Sequence, residues 1–280
     1  MLEPTDALES TENALRLIVR LILGDDWQSK IRPDKLATAR NRMEAETSRR
    51  SGIAAQSAVL EFTDFPVLTG LILAEWSTFE PVFQNEARLK VYFEFMAGVR
   101  NAIAHSRELV DFEKQLLSGM ATQLRSQISL YRTEQDPKTM HYPLIESARD
   151  SFGQLGRPDY LEDMDQSVRL DVGQRVEVDC RALDHRGREL HWFLAVLNQD
   201  SVIINHLKDD EVKIGNEVRL PFEPTEEDVG ERFSVVAYMR SEGRFHLHTD
   251  NGFSRVQTSW EDFAYDDCRY FHFAVNPPLD

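Results

Sequence analysis

Cysteine occurs only twice in 280 residues, at Cys180 and Cys268. Two such distant thiols exclude a disulfide-stapled scaffold and form no metal-ligand cluster by spacing. Long apolar runs are also missing, since nothing approaches the ~20 apolar residues that a membrane-spanning helix needs. No membrane association is therefore expected. Glu3, Asp6 and Glu9 precede the first apolar run, which is the wrong sign of charge for a secretory signal. A cytoplasmic location with both thiols reduced is the expectation. Basic residues are the third shortage, 32 Lys and Arg against 48 Asp and Glu, for a net charge of −16.

That deficit would argue against nucleic acid if it were spread evenly, and it is not. Up to Gln154 the charge is about −4, and beyond it about −12. Within the first half, Lys30, Arg32, Lys35, Arg40, Arg42, Arg49 and Arg50 face only Asp34, Glu44 and Glu46. This local surplus of roughly +4 either lies along phosphates or is a solvated helix face. Lys30, Arg32, Lys35, Arg40 and Arg42, with Arg107 further on, are the candidate RNA contacts.

What is abundant in the first half is apolar spacing of helical period. Residues 10–23 place Leu15, Ile18, Val19, Ile22 and Leu23 on one face, with Ser10 or Thr11 as the starting cap and Gly24 as the stop. Residues 34–50 read as a polar, largely exposed helix opened by Pro33 and Asp34. Between 58 and 84, Phe62, Phe65, Trp76, Phe79 and Phe83 read as core rings, with Pro66 in a helix's first turn. Asn85 should cap a helix over 86–105 that buries Leu89, Phe93, Met96 and Val99. A last helix over 111–131 is expected to turn Phe112, Leu116, Met120, Leu124 and Ile128 inward.

From Thr133 to Gln166 the pattern lapses into Pro137, Pro143, Gly153, Gly156 and Pro158. This is expected to be a linker, with at most a short helix near Leu144 to Ser151. Beyond it the period falls to two, giving strand candidates at 168–183, 189–197, 201–206, 217–222, 232–240, 244–248, 253–258 and 269–275. So many short strands point to an antiparallel, Ig-like β-sandwich. Cys180, Trp192 and Cys268 imitate the immunoglobulin order, but Cys268 opens the last strand and leaves none to follow it. The expected class is thus α+β multidomain: a helical domain over 1–132, a linker over 133–166 and a sandwich over 167–280.

Chemistry is concentrated at Gly98 to Arg107, where the helical spacing ends in Arg100, Asn101 and His105. An arginine can grip a phosphate with two N–H groups, and an unperturbed histidine titrates near ~6.5, where it can give or take a proton. That pairing suits phosphodiester chemistry. In a straight helix, residues five apart are turned by about 140° and rise about 7.5 Å, so Arg100 and His105 are poorly placed to act side by side on one chain. Asn101, four residues before His105, shares its face. The bland alternative pairs Arg100 with Glu94 or Glu108 and leaves His105 as a helix cap. Two similar spacings, Arg186 to His191 and Arg240 to His246, lie in strand-and-turn stretches and carry Gly187 and Ser241 after the arginine.

Arg-Asn-x-x-x-His in this setting resembles the HEPN superfamily of small helical bundles. The resemblance takes in Phe62, Thr63, Asp64 and Phe65, the run Trp76, Phe79 and Phe83, and the stretch Arg107 to Leu117, covering residues 55–130. It implies a metal-independent RNase acting as a homodimer through the helical domain, with an Arg and a His from each protomer around one phosphate. His105 would act as base on a ribose 2′-hydroxyl or acid for the leaving oxygen, Arg100 would stabilise the phosphorane, Asn101 would orient them, and the product would be a 2′,3′-cyclic phosphate. Arg107 stands where one toxin subgroup has a tyrosine.

No cofactor and no metal are expected. His246 and His248 share one side of a strand and with His206 or His272 would make at most a weak zinc site, a spacing more usual for packing. The acidic sandwich is read as a docking or sensing module for an antitoxin or defence-system partner. A second reading makes the chain a non-catalytic dimerising adaptor whose Arg-Asn-His pocket holds a nucleotide.

Overall fold

The computed structural model describes residues 3–49, 58–158, 168–198, 212–249 and 264–278. The chain forms two units, Met1–Glu46 with Ser57–Arg132, and Thr47–Gln56 with Thr133–Asp280. Helices fill the first and strands the second, which makes the protein α+β.

In the helical unit, α1 (Pro4–Leu23) is followed by the short α2 (Trp27–Lys30), α3 (Pro33–Arg49), α4 (Phe65–Ala74), α5 (Trp76–Phe83), α6 (Glu86–Ala104) and α7 (Asp111–Glu134). α1 begins six residues before the expected start, because Pro4 occupies the first turn, where a missing N–H costs nothing. Ser10 and Thr11 are not caps. Both are buried mid-helix and donate to the Ala7 carbonyl at 3.2 and 2.7 Å, which satisfies hydroxyls that would otherwise compete with the helix. α3 buries only Ala39, as its polar sequence requires. Phe65, Phe79 and Phe83 are fully buried, and Phe65 meets Phe93 of α6 edge-on at 6.0 Å. Each such ring contributes about 1.5–3 kcal/mol by leaving water.

α6 starts where Asn85 accepts the Arg88 N–H at 2.9 Å, and it buries Leu89, Phe93, Met96 and Val99. In α7, Met120, Leu124 and Ile128 are buried, but Phe112 and Leu116 are not: they are 65% and 43% exposed. Their spacing of four places them on one line with Gly119, and that line faces away from the core side chains Leu117, Ala121 and Leu124.

In the second unit, β1 (Ile145–Asp150), β3 (Val176–Ala182) and β6 (Glu217–Phe222) form an antiparallel sheet in the order β1-β3-β6. A second sheet runs β2-β10-β7-β4-β5, built from β2 (Val168–Asp171), β4 (Leu190–Asn198), β5 (Lys213–Ile214), β7 (Gly230–Ser241) and β10 (Asp267–Asn276). β8 (His248–Thr249) pairs with β9 (Ala264–Tyr265). The two larger sheets share one core, which includes Val178, Trp192, Leu220, Val235, Ala237, Phe271 and Phe273. The opposite face of the five-stranded sheet carries another cluster, with Phe193, Val236, Tyr238 and Cys268. β7 is therefore buried on both faces.

Three expectations need correction. The segment read as a linker supplies β1, paired to β3 with a register irregularity between Ile145 and Ser147. The sheets are not wholly antiparallel, because β2 runs parallel to β10. About a hundred residues separate those strands, ample for the crossover that a parallel pair demands. Of 244–248 only His248 is in a strand, since Glu242 to Arg244 turn the chain. The expected strands over 201–206 and 253–258, with His206, lie outside the described residues, as does Arg50.

Candidate functional site

α1 packs against both α4 and α6, and this brings Glu12 beside the last turns of α6. Glu12, with its side chain 16% exposed, accepts from Arg16 at 3.0 Å and stands 3.2 Å from the Arg100 Nε. Arg100 is thus paired with Glu12, not with Glu94 or Glu108. Its side chain remains 44% exposed. Arg16 also donates to Asn13 and to the Thr63 carbonyl, fixing the carboxylate from its other side.

Asn101 and His105 are exposed and fall on one line of α6 with Gly98. A Cβ added to Gly98 would meet nothing within 4 Å, so this line is open to solvent. His105 is the C-terminal cap residue. Beyond it, Ser106 takes a left-handed conformation (φ 54°), the Ser106 N–H bonds the Ile103 carbonyl and the Arg107 N–H bonds the Ala102 carbonyl, each at 2.9 Å. This is a Schellman closure with serine in the place that glycine usually takes. It ends the helix sharply and leaves Asn101, His105 and Arg107 exposed at one end of the unit. On a single chain, the arginine therefore leans to α1 while the amide and imidazole look outward.

Phe112 and Leu116 follow on α7, with Val110 53% exposed just before them. α7 lies beside α6, as the 2.6 Å hydrogen bond from the Tyr92 hydroxyl to Gln123 shows. The polar helix end and an uncovered apolar stripe are near neighbours in sequence and fold.

The candidate RNA contacts divide into groups. Lys30, Arg32 and Lys35 line a cleft of about 380 Å³ whose other wall is α4, with Pro66, Val67, Gly70, Leu71 and Ala74, and with Asp64 at its edge. Lys30 is held by Glu75 at 2.6 Å and Arg32 by Asp34 at 3.0 Å. Arg42 is paired with Asp64 at 2.6 Å, and that hydrogen bond and charge raise its pKa further. Arg40 donates to Gln28. Three of the six candidate contacts, Lys30, Arg32 and Arg42, are thus engaged with acids, and two of those acids, Glu75 and Asp64, lie far enough along the chain that counting charges locally does not include them. Glu12 was also missed, and its spacing of four from Arg16 was the only signal available.

The similar spacings in the β unit are accounted for locally. Arg186 donates to the His141 ring, and Arg188 forks onto Asp184 and reaches the His141 carbonyl. Buried Asp266 accepts from the Ser241 N–H and hydroxyl and from the Leu247 N–H, and it faces His246 at 3.3 Å. His248 stacks on Tyr265 at 4.8 Å. Among the described residues, no group of three or more His, Cys, Asp or Glu is arranged to hold a metal ion, and no helix is long and apolar enough to cross a membrane. No family model, curated protein or solved structure matches the chain.

Proposed function

We propose that the protein is a metal-independent endoribonuclease of HEPN type, acting as a homodimer through its helical unit. The observation that carries this reading is the exposure of Arg100, Asn101 and His105 together at one helix end, beside the uncovered stripe of Phe112 and Leu116. A second copy laid on that stripe would bring another α6 end close, and an isologous contact repeats each group across the axis. Arg100 of one protomer, aimed by Glu12, would then face a phosphate served by His105 and Asn101 of the other. His105 takes the 2′-hydroxyl proton or protonates the leaving oxygen, and the arginine stabilises the charged phosphorane. The β unit, read as an Ig-like sandwich, docks a partner protein such as an antitoxin or a defence-system component.

One observation favours the adaptor reading instead: the Arg100 charge is already met by Glu12. Incubating the purified chain with total RNA in EDTA separates the two. Cleavage leaving 2′,3′-cyclic phosphate ends, abolished in His105→Ala and Arg100→Ala, is the expected result. Excess His105→Ala protein should also depress wild-type activity below its share of the mixture. Equal cleavage by His105→Ala, or cleavage that stops in EDTA, removes the mechanism.

A further inference from the structure

We propose that the cleft between α4 and the α2–α3 corner holds one unpaired nucleotide of a single-stranded RNA, its base against α4 and its phosphate at Lys35. This rests on the ribonuclease reading and gives it a substrate class.

Three features point to such a ligand. The cleft, about 380 Å³, is of the size that small-ligand sites have, and Val67, Gly70, Leu71 and Ala74 give it a flat apolar wall from one stripe of α4. Gly70 sits mid-helix without a left-handed φ, and a Cβ there would meet nothing within 4 Å. Neither backbone conformation nor close packing requires a glycine that weakens the helix relative to alanine. Its effect is to keep the wall open.

Charge narrows the class. The Lys30–Glu75, Arg32–Asp34 and Arg42–Asp64 pairs cancel one another. Among the described residues Lys35 forms no ion pair, so one uncompensated positive charge stands beside the apolar wall. A phosphodiester-linked nucleotide matches this with one negative charge and one flat ring. The cleft also connects to the helix end: Asp64 at its edge adjoins Thr63, whose carbonyl binds Arg16, and Arg16 shares Glu12 with Arg100. Base stacking on a protein wall tolerates every base but requires that base to be unpaired.

The test uses the full chain carrying His105→Ala, so that bound RNA stays intact. Fluorescence anisotropy would follow a labelled single-stranded dodecamer and the blunt-ended duplex of the same length, and adenosine monophosphate would be titrated while the Gly70 amide is watched by NMR. Gly70→Leu fills the cleft while favouring the helix, and Lys35→Glu reverses the charge without touching the wall. Gly70→Leu should weaken the single strand roughly 5- to 150-fold, the range that stacking is worth, Lys35→Glu should weaken it by at least about fivefold, and Gly70→Leu should leave the duplex unchanged. Adenosine monophosphate should shift the Gly70 amide. Single-strand affinity within twofold of the parent in both variants, or a Gly70 amide unmoved by millimolar nucleotide, overturns the proposal. Nucleotide binding lost in Gly70→Leu, with a wild type that cuts no RNA, keeps the cleft and removes the nuclease. His105-dependent cleavage with Gly70→Leu affinity unchanged does the reverse.

Discussion

Replacing Phe112 with serine should separate the proposed dimer without harming the protomer. An aromatic side chain offers about 150–250 Å² for burial. Phe112 is 65% exposed, so most of that surface is still in water. Covering about 100–160 Å² at ~25 cal/mol per Å² is worth about 2.5–4 kcal/mol for each copy. A twofold contact counts the residue twice, but ordering and lost motion on association consume part of the gain. Taking about 3 kcal/mol as the net loss, the dimer dissociation constant should rise about 100-fold. The change lies on the surface of the folded chain, so protomer stability should move by no more than about 0.5 kcal/mol. Sedimentation velocity over a concentration series measures the first quantity and urea unfolding of the dissociated protein the second. A wild type that stays monomeric at tens of micromolar, or a Phe112→Ser dissociation constant within threefold of it, would refute the placement of the interface.

Two further outcomes concern the separate units. Ser106→Gly relieves a left-handed serine at the end of α6 and should stabilise the helical unit by about 0.5–1 kcal/mol in urea, whereas a loss would show that the hydroxyl matters more than the backbone. In the β unit, burial pushes both His185 and His272 below the ordinary histidine value, with Arg186 and Arg188 beside the first and Arg157 near the second adding to it, and Asp184 and Glu134 opposing it at His185. The unfolded chain therefore binds more protons as pH falls through about 6.5, and stability should decline between pH 7 and pH 5. Hydrogen exchange at the β7 amides should accelerate over that range, less so in His272→Gln; slower exchange at pH 5, after correction for intrinsic rate, would contradict the sign.

Where local chemistry decides an element, the sequence was enough to place it. Asn85 opens α6, Pro33 opens α3, and the alternation of Glu217 to Phe222 coincides with β6. Long-range pairing was hidden: nothing in the spacing of Glu12 and Arg100, 88 positions apart, announces that they meet. Phe112 and Leu116 were misplaced because four-residue spacing fixes a shared line on a helix but not the direction in which it points. β1 escaped because Ile145 to Asp150 lacks clean alternation, its burial being interrupted where the register shifts. The Ser10 and Thr11 hydroxyls looked like a beginning only because their bonds to Ala7 could not be read.

β7 carries a consequence for how its sheet finds one alignment. A strand with one wet face is aligned by hydropathy, since slipping by a single residue would drown its apolar set. With Val235 and Ala237 in one core and Val236 and Tyr238 in the other, that discrimination is nearly lost. Polar contacts at Ser234, within the strand, and at its last residue, Ser241, supply it. The Ser234 hydroxyl meets the ring of its direct cross-strand partner His272 at 2.8 Å, and Ser241 is bound through N–H and hydroxyl to buried Asp266. A slip in either direction would strand a carboxylate and an imidazole among hydrocarbon, a far larger penalty than exchanging valine for alanine. In this sheet the greasy residues decide that the strand is buried, and four polar ones decide where.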